Sequence, residues 1–193
     1  ALAILLFFFL PTVLFNLLQK AFPADIAPWR SVFEGFLRIA IFVGYILLVS
    51  LLPDMRRTFQ YHGAEHKTIF CYENDLPLTV ENVKKQKRFH PRCGTSFLIL
   101  MLLIGIIVGF FIPFENPFLR TVTKLLCIPL MVNIGFELQK ACARHTGLLS
   151  RIVTAPGLWM QRITVKEPDD KMIEAAIAAM EAVIPENGED LLS

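Results

Sequence analysis

Residues Ala1 to Gln19 read ALAILLFFFLPTVLFNLLQ, a run without a single charged side chain. At ~1.5 Å of rise per residue, a helix of this length nearly matches a hydrocarbon core of ~30 Å. A secretory signal is the competing reading. It requires a basic leader and a short apolar stretch ending in small residues, and this run has neither. The chain opens inside the apolar run without an initiator Met, which suggests that it starts within a longer protein.

Three more apolar stretches follow. Val32 to Leu52 is interrupted only by Glu34 and Arg38, one turn apart in the favourable order. Thr95 to Phe114 is uncharged and carries Gly105 and Gly109 at the small-xxx-small spacing of packed membrane helices. Phe118 to Leu138 is weaker, because Lys124 and Glu137 must snorkel or be buried against other helices. The expectation is an all-α membrane protein with about four transmembrane helices. It divides into helices one and two over 1–52, an insert over 53–94, helices three and four over 95–141, and a C-terminal region over 142–193.

Composition agrees. Of 193 residues, 54% are hydrophobic, and the mean hydropathy is +0.53. That excludes a disordered chain, and a net charge of +2 excludes a strongly basic nucleic-acid binder. The four cysteines (Cys71, Cys93, Cys127, Cys142) include no CxxC pair and do not form a disulfide framework.

Basic residues set the orientation. Two lie around the first connection, eight between Pro53 and Arg92, Arg120 alone before Lys124 in the third, and six from Lys140 to Lys171. The alternation of poor and rich places the 53–92 segment and the C-terminus in the cytosol, for a protein of the inner (plasma) membrane. Reducing conditions there keep the cysteines as thiols.

Beyond the fourth span, Gly147 to Val165 is amphipathic and broken by Pro156-Gly157, as suits an interfacial helix. Glu167-Pro-Asp-Asp170 reads as a helix start. Ile173, Ile177, Met180 and Ile184 then form an apolar face that must dock on something, and an acidic, frayed tail runs from Pro185 to Ser193.

The chemistry lies in the insert. In Tyr61-His-Gly-Ala-Glu-His-Lys-Thr68, His62 and His66 share a helix face and can reach one metal ion. Glu65 can contact metal-bound water. This is the H-x-x-E-H order in which two His bind zinc and Glu serves as general base. The plainer alternative is two solvated histidines beside a glutamate paired with a lysine. Two further elements strengthen the metal reading. His90-Pro-Arg-Cys93 could complete a tetrahedral site through its imidazole or its thiolate. Glu137, an acid at the end of the fourth span, is costly there unless it is coordinated, hydrated or paired, with Lys140 or Arg144 as partners. The third ligand stays open between them.

Lesser features have plainer readings. Cys71 suits a small buried residue more than a ligand. Thr79 reads as an N-cap with Asn82 at the third position, and the Lys84 to Arg88 run reads as topology rather than lipid binding. Arg92 could grip a substrate carboxylate or phosphate, or anchor the loop. His145 reads as structural or solvated.

Together with Leu78-Thr-Val-Glu-Asn-Val83, His90-Pro-Arg-Cys-Gly-Thr-Ser96, Pro156-Gly-Leu-Trp-Met-Gln-Arg162 and Glu167-Pro-Asp169, the Tyr61–Thr68 motif resembles the bacterial YqhQ family. The resemblance implies a membrane protein described as a predicted metal-dependent enzyme. It also implies a soluble N-terminal stretch with a Gly-Gly-Gln-Ala-Val-like motif, which this sequence lacks. Where the family leads us to expect two threonines in a row, this chain has Ile163-Thr164.

Three functions remain open at this level. The first is a zinc-dependent hydrolase at the membrane interface, with His62 and His66 as ligands, Glu65 as base, and a lipid or membrane-protein segment as substrate. The second is a structural metal site in a transport or assembly factor. The third is a metal-free scaffold.

Overall fold

The computed structural model describes residues 2–22, 25–145 and 147–185. The expected acidic tail therefore lies, from residue 186 onward, outside the described residues. These are helical, with no strand among them. The helices are α1 (Leu2–Ala21), α2 (Ala27–Ser50), α3 (Pro53–Glu73), α4 (Val80–Lys84), α5 (Gly94–Phe110), α6 (Pro117–Leu126), α7 (Ile128–Arg144), α8 (Leu148–Thr164) and α9 (Asp170–Glu181).

By length and composition, α1 and α2 could each cross a membrane, and α6 with α7 makes a third candidate if the bent pair is one span. α5 is apolar but has only 17 residues. The single fourth span expected over 118–138 is instead two helices meeting at 47° around Cys127. Pro129 supplies the cause, because it offers no N–H to the preceding turn and its ring crowds that turn's carbonyl. Pro156 behaves differently from expectation. It sits inside α8, which continues through it rather than breaking.

The chain forms two compact units. Unit 1 comprises Ala1–Tyr45 and Arg92–Gly157. In α1, the turn Leu5–Phe9 is π-helical directly before Pro11, a widening that accommodates the missing N–H. α2 buries a polar stripe of Arg30, Ser31, Glu34 and Arg38. Gly35 lets α5 approach so closely that a Cβ there would lie 2.1 Å from Ile106. On α5, Gly109 faces Ser31 and Gly105 faces Met131, so both members of the small-xxx-small pair serve packing.

Arg120 is not a loop cation. It is 2% exposed and donates to Glu34, to the Ser31 hydroxyl and to the carbonyls of Gly109 and Ile112. Lys124 is likewise buried and paired with Glu34.

Unit 2 comprises Ile46–Pro91 and Leu158–Ser193. Its core joins Ala64 and Cys71 of α3 to Val83 of α4 and to Met172 and Ile173 of α9, with Ile177 packed alongside. Burying Ile173 contributes on the order of 1.5–3 kcal/mol. Thr79 caps α4 by accepting from the Asn82 amide, as the sequence indicated. The helix start expected over Glu167 to Asp170 is α9, with Asp169 as the cap accepting from the Met172 amide, so Pro168 precedes the helix rather than lying in its first turn.

The segment after α8 runs along α3, its Lys166 amide donating to the Phe59 carbonyl at 2.9 Å. Gly63 makes this possible, since a Cβ there would stand 1.9 Å from the Lys166 carbonyl oxygen. Because the obstacle is backbone, the collision cannot be relieved by a side-chain rotation. Gly63→Ala is therefore expected to cost on the order of 1–3 kcal/mol through overpacking. Thermal unfolding of the full chain checks this, and an unchanged midpoint would show that the segment yields freely.

Candidate metal centre

α3 places His62 and His66 one turn apart on the face turned toward the rest of unit 2. Their rings lie 4.4 Å apart at 71°, and they offer ring nitrogens within 4.8 Å of each other. The His62 Nδ1 is 3.0 Å from the Thr164 carbonyl oxygen, and the His66 Nδ1 is 2.6 Å from the Arg88 carbonyl oxygen. A carbonyl can only accept, so in both rings Nδ1 carries the proton and donates. In the neutral imidazole, Nε2 then holds the lone pair that a metal needs. Ligating histidines ordinarily show this arrangement, with the second nitrogen fixed by a hydrogen bond behind the metal.

Further side chains hold the carbonyls in place. Lys67, 5% exposed, donates to the Lys84 carbonyl at 2.9 Å and pairs with Glu167. Arg88 also reaches Glu167, at 3.1 Å. Partial desolvation opposes ionisation of the Glu167 carboxyl. The Lys67 ammonium and the Arg88 guanidinium outweigh it and hold the carboxyl below the usual carboxylate range. The cationic run from Lys84 to Arg88 thus forms one wall of the site, its main chain receiving Lys67 and His66.

His90 is buried, its ring 5.9 Å from that of His66. Its Nε2 lies 3.2 Å from a Glu73 carboxylate oxygen, so this nitrogen is engaged by an acid. Gln161, fully buried, grips the His90 main chain from both sides. The His90 N–H donates to Gln161 Oε1 at 2.8 Å, and Gln161 Nε2 donates to the His90 carbonyl at 2.6 Å.

The other candidates sit as follows. Glu65 is exposed on α3, next to His66. Cys93 belongs to unit 1, where it is buried at the start of α5 with its sulfur 3.1 Å from the Thr95 hydroxyl. Glu137 is exposed on α7, also in unit 1, and Arg92 is exposed. Cys71 is buried in the unit 2 core, with its sulfur 3.5 Å from the Pro77 carbonyl. Burial pushes its thiol pKa up, as expected of an inert structural cysteine. His145 is exposed after α7. Within unit 2, the two imidazoles of His62 and His66 make a donor pair that could contribute to holding a metal ion.

Sequence reasoning missed Gln161, Thr164, Glu73 and Glu167 as parts of the site. Gln161 and Glu167 lie in stretches that carried the family resemblance. Their roles are hidden because they act on residues far away in the chain, and Thr164 acts only through its main chain.

A family model described as "Protein of unknown function (DUF1385)" matches residues 1–186. The chain is also 36% identical over 179 residues to "Uncharacterized protein YqhQ" of Bacillus subtilis (strain 168). That alignment covers 92% of this chain and 56% of the relative, so the chain spans little more than half of the relative's length. No solved structure matches. With a family match running through almost its whole length, the chain belongs to the DUF1385 family.

Proposed function

We propose that the protein is a multi-pass protein of the bacterial plasma membrane carrying a metal centre at its cytosolic face. His62 and His66 bind a divalent ion, zinc first, through Nε2, and the Cys93 thiolate is the third donor. The paired Nδ1–H bonds to main-chain carbonyls carry this reading, since they fix both tautomers in the form that ligates. Chain connectivity favours Cys93, because only Pro91 and Arg92 separate it from His90, whose ring neighbours that of His66. About four crossings, with the 53–92 segment inside, agree with the distribution of basic residues. Burial of Arg120 and Lys124 removes both from the third connection and sharpens that contrast.

Held by these residues, a zinc ion would supply Lewis-acid chemistry, the kind that brings the pKa of a water toward ~7. Glu65, exposed beside His66, serves as the base. The reaction is then hydrolysis of a lipid or membrane-protein segment arriving from the interface, with Arg92 available for an anionic group. A second reading, a structural ion stapling the insert, is favoured by the burial of His66 and Cys93.

Glu65→Gln separates the two. Under the hydrolytic reading the variant retains its metal, while cells expressing it lack a lipid or peptide product that wild type generates, measured by comparative mass spectrometry of membranes. Identical membrane profiles for wild type and variant would leave the structural reading.

A further inference from the structure

Within unit 1, a cavity of about 480 Å³ opens among α1, α2, α5, α6 and α7. Its lining is apolar, from residues such as Phe8, Phe42, Met101, Leu102 and Leu125, with one charged exception, Arg38. Arg38 is 6% exposed, and its Nε and Nη2 are buried without a hydrogen-bond partner among the described residues.

The neighbouring charges explain why. Glu34, fully buried, is the acid beside three cations. Arg120 Nε lies 3.0 and 3.1 Å from its two oxygens, and Lys124 takes one of them as well. Arg38 is left at 3.7 Å, beyond hydrogen-bond range, with the Phe8 ring 5.3 Å away as its other electrostatic neighbour. A buried guanidinium with unmet donors, in a cluster carrying excess positive charge, requires an anion. The surrounding wall accepts nothing but hydrocarbon.

The geometry points to a binding site for a single-chain anionic amphiphile, a fatty-acid-like molecule whose carboxylate meets Arg38 and whose acyl chain fills the cavity. The volume falls in the range of sites for compact ligands and suits one acyl chain rather than the two of a phospholipid. Planar guanidinium donors match a carboxylate in a bidentate pair, worth most where water is excluded. This site stands apart from the metal reading and does not depend on it.

The test uses the full chain in phosphatidylcholine nanodiscs with radiolabelled palmitate as probe. Saturable binding is expected, competed poorly by hexadecanol, which has the chain without the charge, and poorly by phosphatidylglycerol, which has charge and two chains. Arg38→Gln is expected to bind at least about tenfold more weakly, the loss of one charge-assisted hydrogen bond, and Arg38→Lys to recover part of that loss. Leu98→Trp, on the cavity wall but half-exposed, keeps the charge and is expected to block the chain. Equal competition by hexadecanol or by phosphatidylglycerol, or undiminished binding in Leu98→Trp, would overturn the proposal. The wild-type competitions decide it even if an Arg38 variant does not fold.

Discussion

Glu34→Gln is expected to cost the protein about 3–5 kcal/mol, the usual penalty for removing one partner from a buried ion pair. The carboxylate is fully buried and balances Arg120, Lys124 and Arg38. With it neutralised, three cations remain in an apolar bundle with no acid among them. A whole domain has a margin of only ~5–15 kcal/mol, so the variant should be recovered poorly from membranes and unfold many degrees early. Adding Lys124→Met removes one uncompensated charge and is expected to restore part of the loss. Thermal unfolding of both variants in detergent measures the effect. A Glu34→Gln midpoint within a degree of wild type would show that the cluster contributes little to stability.

His66→Ala is the second large effect expected, and under the proposed metal centre it is read first on metal retention. Loss of a group that merely supports a ligating histidine costs ~10–100-fold in metal affinity. Removing the ligand itself is expected to exceed that and abolish retention of the ion through purification. His62→Ala should act in the same direction. The two differ in their structural side effects. His66 is 4% exposed and would leave a hole beside Arg88, whereas His62 is only half-buried. Circular dichroism alongside metal analysis separates ion loss from unfolding. Retention of bound metal by folded His66→Ala would remove it from the ligand set.

The sequence made some of this plain and hid the rest for physical reasons. A spacing of four residues puts His62 and His66 on one helix face whatever the tertiary structure, so their meeting was legible. Caps are local as well, so the Thr79 cap and the presence of a helix start near Asp170 were legible, though not which acid caps it. So was the Ile173/Ile177 face, which docks on α3 and α4.

Arg120 looked like a loop cation because its neighbours are Pro-rich, and nothing local reveals that Glu34, 86 residues earlier, is waiting for it. The bend between α6 and α7 depends on Pro129 in a stretch whose hydropathy alone suggested one span. Pro156 misled in the other direction, since a proline lowers helix stability without always ending the helix. Gly63 sat unremarked between the two motif histidines, yet it is where the segment bearing Thr164 closes on α3. The pairing of Gln161 with His90 spans 71 residues and rests on main-chain groups that every residue possesses.

Elemental analysis of the full chain, purified without chelators, puts the metal centre to its most direct trial, with the His62→Ala/His66→Ala double variant prepared in parallel. The account predicts a stoichiometric divalent ion in wild type and none in the double variant. A wild type that neither carries nor takes up an ion, or a folded double variant as rich in metal as its parent, would contradict it.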